Sequence, residues 1–178
     1  PTKAQSMSAG ESQSVLDLYI LSYNVNNQLT IASSALKQNL TTYLSQYRMV
    51  NDSVNLKDGF IINIGVNFDV IILPNYNSNE VLSKCILALQ DYFAIDKWQI
   101  NQPIVLRDIY ILLDKIEGVQ TVKNIEITNL VGENLGYSPY AYDIKGATQA
   151  NVVYPSLDPS IFEVKYPNQD IQGRVVPL

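Results

Sequence analysis

The chain has 178 residues with 12 basic and 17 acidic side chains, a net charge of -5 and no histidine. That length suits one domain with room for an appendage, and a fold of this size buries about 70% of its unfolded surface. Lacking histidine, it has no Ser–His–Asp triad and no imidazole metal site; its one cysteine excludes an internal disulfide or a multi-cysteine cluster; its acidity argues against nucleic acid as a partner.

Residues 1–14 are small and polar and read as a flexible lead-in. They hold no apolar h-region, so no signal peptide is expected, and the missing initiator methionine points to a fragment or a processed chain. Residues 15–21 are apolar on both faces apart from Asp17, as in an interior strand. After a turn at residues 24–27, a helix is predicted from a cap at Ser33 or Ser34, with Leu36, Leu40, Tyr43, Leu44 and Tyr47 on one stripe. A polar link follows at residues 51–53. Residues 60–72 alternate apolar with mostly polar or small residues, which predicts a strand with one face on helices and a wetter face opposite, stopped by Pro74.

A second helix is capped by Ser78 or Asn79 and carries Val81, Leu82, Cys85, Ile86, Leu89, Tyr92 and Phe93 along its stripe. A third, shorter one carries Leu106, Ile109, Tyr110, Leu113 and Ile116, and Gly118 suits its left-handed stop. Residues 119–130 return as a strand rich in β-branched side chains. The order describes an α+β domain over residues 15–130, a small sheet with about three helices packed on one face.

The character changes after residue 131. Five of the eight prolines and five of the twelve tyrosines fall in the last 48 residues, so long helices and central strands are not expected there. Ile161, Phe162, Val164, Tyr166, Ile171, Val175 and Val176 are nevertheless too apolar for a disordered tail. Residues 131–178 therefore read as an ordered, extended, proline- and tyrosine-rich arm that needs a surface to lie on, either its own domain or a neighbour.

Little catalytic equipment is visible. Cys85 sits on a helix stripe with no base to activate it and reads as a buried structural thiol. Asp91 with Asp96, and Asp108 with Asp114, are the nearest carboxylate pairs, but their settings are helix surfaces and ends. No calcium-loop spacing and no glycine-rich phosphate cradle occurs, and the run of apolar residues needed to span a bilayer is absent. The two Asn-X-Ser/Thr sequons, at Asn39 and Asn51, read as chance matches.

Composition points elsewhere. Charged residues are only 16%, against roughly 25% in ordinary soluble domains. Neutral amides (17 Asn and 12 Gln) and 12 tyrosines fill the gap, a surface suited to contact with other protein. Candidate protein-interface residues are Tyr137, Tyr140, Tyr142, Tyr154, Phe162 and Tyr166. The competing readings are that the tyrosines anchor the arm on its own domain, or form a sugar-stacking platform. Trp98 is either a hot spot or a residue that closes the core.

The order of elements and several local strings resemble the J-like baseplate protein family of contractile phage tails, in its T4-like branch. The strings are Leu40-Thr41-Thr42-Tyr43-Leu44, Arg48-Met49-Val50-Asn51-Asp52, the strand Ile61-Ile62-Asn63-Ile64-Gly65-Val66, and Ile100-Asn101-Gln102-Pro103-Ile104. The most telling is Ile116-Glu117-Gly118-Val119-Gln120-Thr121-Val122, where the family steps from helix into strand. The likeness covers about residues 15–130; the arm, especially residues 155–162, is similar to the T4-like branch alone. Asn101 departs from the pattern, since many relatives carry glycine there. The resemblance implies the C-terminal piece of a longer wedge subunit: a structural, non-enzymatic virion component without cofactor, membrane or small-molecule substrate. Its implied partners are a second copy of itself and other wedge proteins.

Overall fold

The computed structural model describes residues 14–47 and 52–177. The polar lead-in (Ser14 apart) and the string 48–51 lie outside them. The fold is mixed α+β, with four helices and several small sheets, 29% helix and 34% strand, a balance that excludes the all-α and all-β classes. Two compact units divide the chain: residues 1–22 with 31–58, and residues 23–30 with 59–178. This boundary falls inside the stretch 15–130 that the sequence pattern joins into one domain.

The first unit is a βαβ turn of chain. Strand β1 (Ser14–Ile20) runs parallel to a strand at Asp52–Asp58, with helix α1 (Ser34–Ser45) between them in sequence. Ser33 caps the helix as expected, its side chain accepting from Leu36 N at 3.2 Å. The strand at Asp52–Asp58 is not foreseen by the sequence pattern: its Val54 and Leu56 alternate with Asn55 and Lys57 over too short a run to stand out. Leu16 is exposed, so β1 lacks the two buried faces that its composition predicts.

The second unit begins with a short segment, residues 23–30, in which Asn24 Oδ1 accepts from Asn26 N and Gln28 N to form a turn. Numbering the strands in chain order, β2 (Ser22–Tyr23) and β3 (Leu29–Thr30) flank that turn, β4 is Asp52–Asp58, and β5 (Phe60–Ile72) is the centre of the main sheet. Helix α2 (Ser78–Tyr92) is capped by Asn77, one residue before the expected positions, whose side chain accepts from Asn79 N and Glu80 N. Val81, Cys85 and Leu89 are buried along its stripe. After β6 (Ile104–Val105), α3 (Leu106–Asp114) buries Ile109 and Leu113, and β7 (Val119–Asn129) returns antiparallel along β5. β7 skips Lys123 and Gln120 in its pairing, two bulges that keep its branched residues on the inner face. Gly118 has φ +96°, and a Cβ there would crowd Val81 and Tyr76, so this turn requires glycine.

The C-terminal segment departs most from expectation. After a hairpin of β8 (Thr148–Gln149) and β9 (Val152–Val153), which also pairs with β6, the chain enters the sheet twice. Strand β10 (Ser160–Glu163) runs parallel to residues 60–63 of β5, and β11 (Ile171–Val175) runs parallel to residues 66–70. Since β7 pairs with the same residues of β5 as β11 does, the two flank β5 on opposite sides. The segment is thus part of the sheet and not an arm lying on a surface. None of its prolines falls within β10 or β11: Pro159 precedes β10, Pro167 lies between the two strands and Pro177 follows β11, so none costs a ladder bond there.

This also changes the second face of β5. Residues 61–66 are buried on both faces and only Phe60 and Asn67 of the strand are exposed, because Asn63 and Gly65 are covered by residues 128–138 and by Asp170. Helix α2 packs on β11 and α3 on β7, and these two helices touch each other; α1 belongs to the other unit.

Candidate functional site

Between Glu163, opposite Asn63, and Ile171, opposite Val66, the C-terminal chain takes eight steps while β5 takes three. Five residues are therefore looped out of the sheet, and they form an excursion that includes the one-turn helix α4 (Pro167–Asp170). Two buried carboxylates bracket it. Glu163, 2% exposed, receives Leu29 N at 2.6 Å on one oxygen and Asn63 Nδ2 at 2.7 Å on the other. Asn63 Oδ1 in turn accepts Ser138 N at 2.7 Å. Asp170 receives the Tyr137 hydroxyl at 2.6 Å and Tyr166 N at 2.7 Å.

Burial pushes the Glu163 carboxyl above its ordinary range, against the opposing pull of its bonds from Leu29 and Asn63. Burial, helped by the Asp170 carboxylate, likewise holds the Tyr137 phenol well up. These partners are as much as 134 residues apart in sequence, and no local pattern marks them. A cleft of about 480 Å³ opens beside the excursion, with Asn26, Gln28, Gln90, Phe93, Asp96 and Asn168 among its walls.

The six candidate interface residues do not share one surface. Phe162 is 2% exposed and lies in the core on β10, all four of whose residues are buried, so its side chain is not available to a partner. Tyr140 stacks against Phe60 with ring centroids 4.7 Å apart. Tyr142 donates its hydroxyl to the Tyr154 carbonyl at 2.8 Å and has its ring near Phe162. Tyr137 and Tyr166 meet edge to face at 5.4 Å over Asp170. Tyr154 is exposed. Four of the five tyrosines therefore hold this chain's own fold together, and no common ring platform forms.

Trp98 closes the core, stacked on Phe93 and donating from Nε1 to the Tyr92 carbonyl at 3.0 Å. Cys85 is buried, and its thiol is pushed up to about 11 by desolvation. Asp91 pairs with Lys97 at 2.6 Å and Asp114 accepts Val122 N at 3.2 Å, so these carboxylates serve local structure. Among the described residues no cluster of His, Cys, Asp and Glu is arranged to hold a metal ion.

Among the described residues, an uncovered apolar and aromatic surface lies instead on α1. No residue of this helix is buried, and Leu36, Tyr43 and Tyr47 are 46%, 56% and 71% exposed. The Tyr43 and Tyr47 rings lie 5.1 Å apart. Lys37, the helix's one charged residue, is paired with Asp58 at 2.7 Å. The stripe is legible in the sequence; its exposure is not. No family model matches the chain, and no curated protein does.

Proposed function

We propose that the chain is a structural assembly module that associates with itself, and that it serves in the baseplate wedge of a contractile phage tail. In this reading it links neighbouring wedges into a ring around the hub and passes on the rearrangement that triggers sheath contraction. Its partners are a second copy of the chain and other wedge subunits, and its place is the virion.

The observation that carries self-association is the α1 face. An apolar and aromatic stripe that the described residues leave open, with the helix's lone charge already paired, is costly to hydrate and free of like-charge repulsion against a copy of itself. The same stripe on a two-fold mate supplies an isologous contact. The assignment to a baseplate leans on the resemblance in the sequence. One structural detail accords with it: Asn101, where that family commonly carries glycine, has φ +63°, a left-handed backbone that asparagine tolerates. A sugar-binding reading has less support, because the tyrosines it needs are spent within the chain.

Sedimentation velocity over a concentration series tests the association. A dimer that dissociates in Leu36→Asp and Tyr43→Asp, with unchanged circular dichroism, supports it. A monomer at the highest concentration, or dimers untouched by both substitutions, overturns it.

A further inference from the structure

Residues 23–30 join the second unit but connect at both ends to the first, so the chain crosses between the units at 22–23, 30–31 and 58–59. Their hold on the second unit is specific. Leu29 is buried, its N–H donates to Glu163 at 2.6 Å, and Gln28 Nε2 donates to the Lys165 carbonyl at 3.1 Å. Both acceptors lie on the looped-out segment or at its root.

The polarity of the array fixes the state of Glu163. Ser138 N–H donates, so Asn63 must present its carbonyl oxygen there and its NH2 to Glu163. Leu29 N–H arrives from the other side. Donors stand at both ends, and the row closes only when Glu163 offers two acceptors, as an ionised carboxylate. A proton on either oxygen faces a donor, and turning the Asn63 amide to receive it would set NH2 against the Ser138 N–H.

We propose that Glu163 is an ionisation-dependent latch: its carboxylate holds the 23–30 segment on the sheet, and protonation releases that segment while the sheet stays folded. The charged groups near it are few. Lys165 on the excursion favours the ionised form, Asp170 at the end of α4 opposes it, and Asp96 lies across the cleft. Tyr137 and Tyr166 N–H engage Asp170 and leave Glu163 to its two donors. Burial raises the Glu163 carboxyl above its ordinary range, so its protonation comes at a higher pH than that of a solvated glutamate.

Amide hydrogen exchange and nitrogen-edited NMR of the whole chain across pH 4 to 8 test the latch (a range set by ordinary carboxyl values). The Leu29 amide shift is expected to titrate. Exchange at residues 24–30, corrected for intrinsic chemistry, is expected to speed up roughly tenfold to hundredfold, the size of losing a charge-assisted bond, while β5 and β7 stay protected. Glu163→Gln at neutral pH should reproduce the fast exchange. Protection at Leu29 that is flat across the range, or protection lost together with that of β5, overturns the proposal. If Glu163→Gln does not fold, the wild-type titration decides alone.

Discussion

The two units treat similar apolar sequences in opposite ways. In the second, β5 is flanked by β7 and β11 and roofed by α2 and α3, and Ile62, Ile64, Val66 and Val70 are fully buried. In the first, two parallel strands and one helix bury, among the described residues, no apolar side chain larger than Ala32. Parallel strands ordinarily need cover on both faces, and a two-stranded pair is marginal alone. The lesson is that a helical stripe announces an apolar face and leaves open what covers it. In α2 the cover is the sheet of its own chain; in α1 the stripe remains open, and a second copy is the proposed cover.

Substitutions can press on this contrast. The largest effect is expected in the core of the second unit: Phe68→Ala empties a buried ring site and should cost about 4 kcal/mol in urea unfolding. Next, Gly173 faces Phe68 across the β5–β11 ladder, and a Cβ there would overlap the ring; Gly173→Ala should cost about 2 kcal/mol by the same measurement. A smaller effect of opposite sign is expected at the β8–β9 turn, where Ala150 (φ +49°) and Asn151 (φ +63°) both adopt left-handed backbone. Ala150→Gly should stabilise by about 0.5 kcal/mol, read as a rise in midpoint, because a type I′ turn strains alanine. The smallest is in α1: Leu36→Asp at low protein concentration should change stability by less than about 0.5 kcal/mol, an acid in the first turn being favourable there. A loss above 2 kcal/mol at Leu36 would show that the helix is packed in solution and would erase the contrast.

The residues of the excursion show where local pattern stops informing. Glu163 stands in the sequence as one polar residue in an apolar run, and no local pattern singles out Asp170. Their roles arise only when residues 29, 63, 137 and 138 arrive from distant parts of the chain. The tyrosines illustrate the converse. Five of the twelve fall after residue 131 and suggest contact, yet the ring of Tyr140 meets Phe60 and the hydroxyl of Tyr142 meets a carbonyl twelve residues on. Composition cannot distinguish an inward anchor from an outward contact.

Periodicity located helices α1 to α3 and the strands at 60–72 and 119–129, since these depend on neighbours within a few residues and on the burial of one stripe; the antiparallel pairing of those strands and the short α4 were not legible. Gly118 was likewise legible, because a left-handed stop after an apolar helix has few other solutions. Tertiary structure alone decided that the C-terminal segment completes the sheet and that the 23–30 turn is fastened by a buried carboxylate. Each depends on parallel pairing or hydrogen bonds between residues far apart in the chain. Such contacts are chosen by the whole fold's balance of burial against loop closure, and leave no periodic trace where they begin or end.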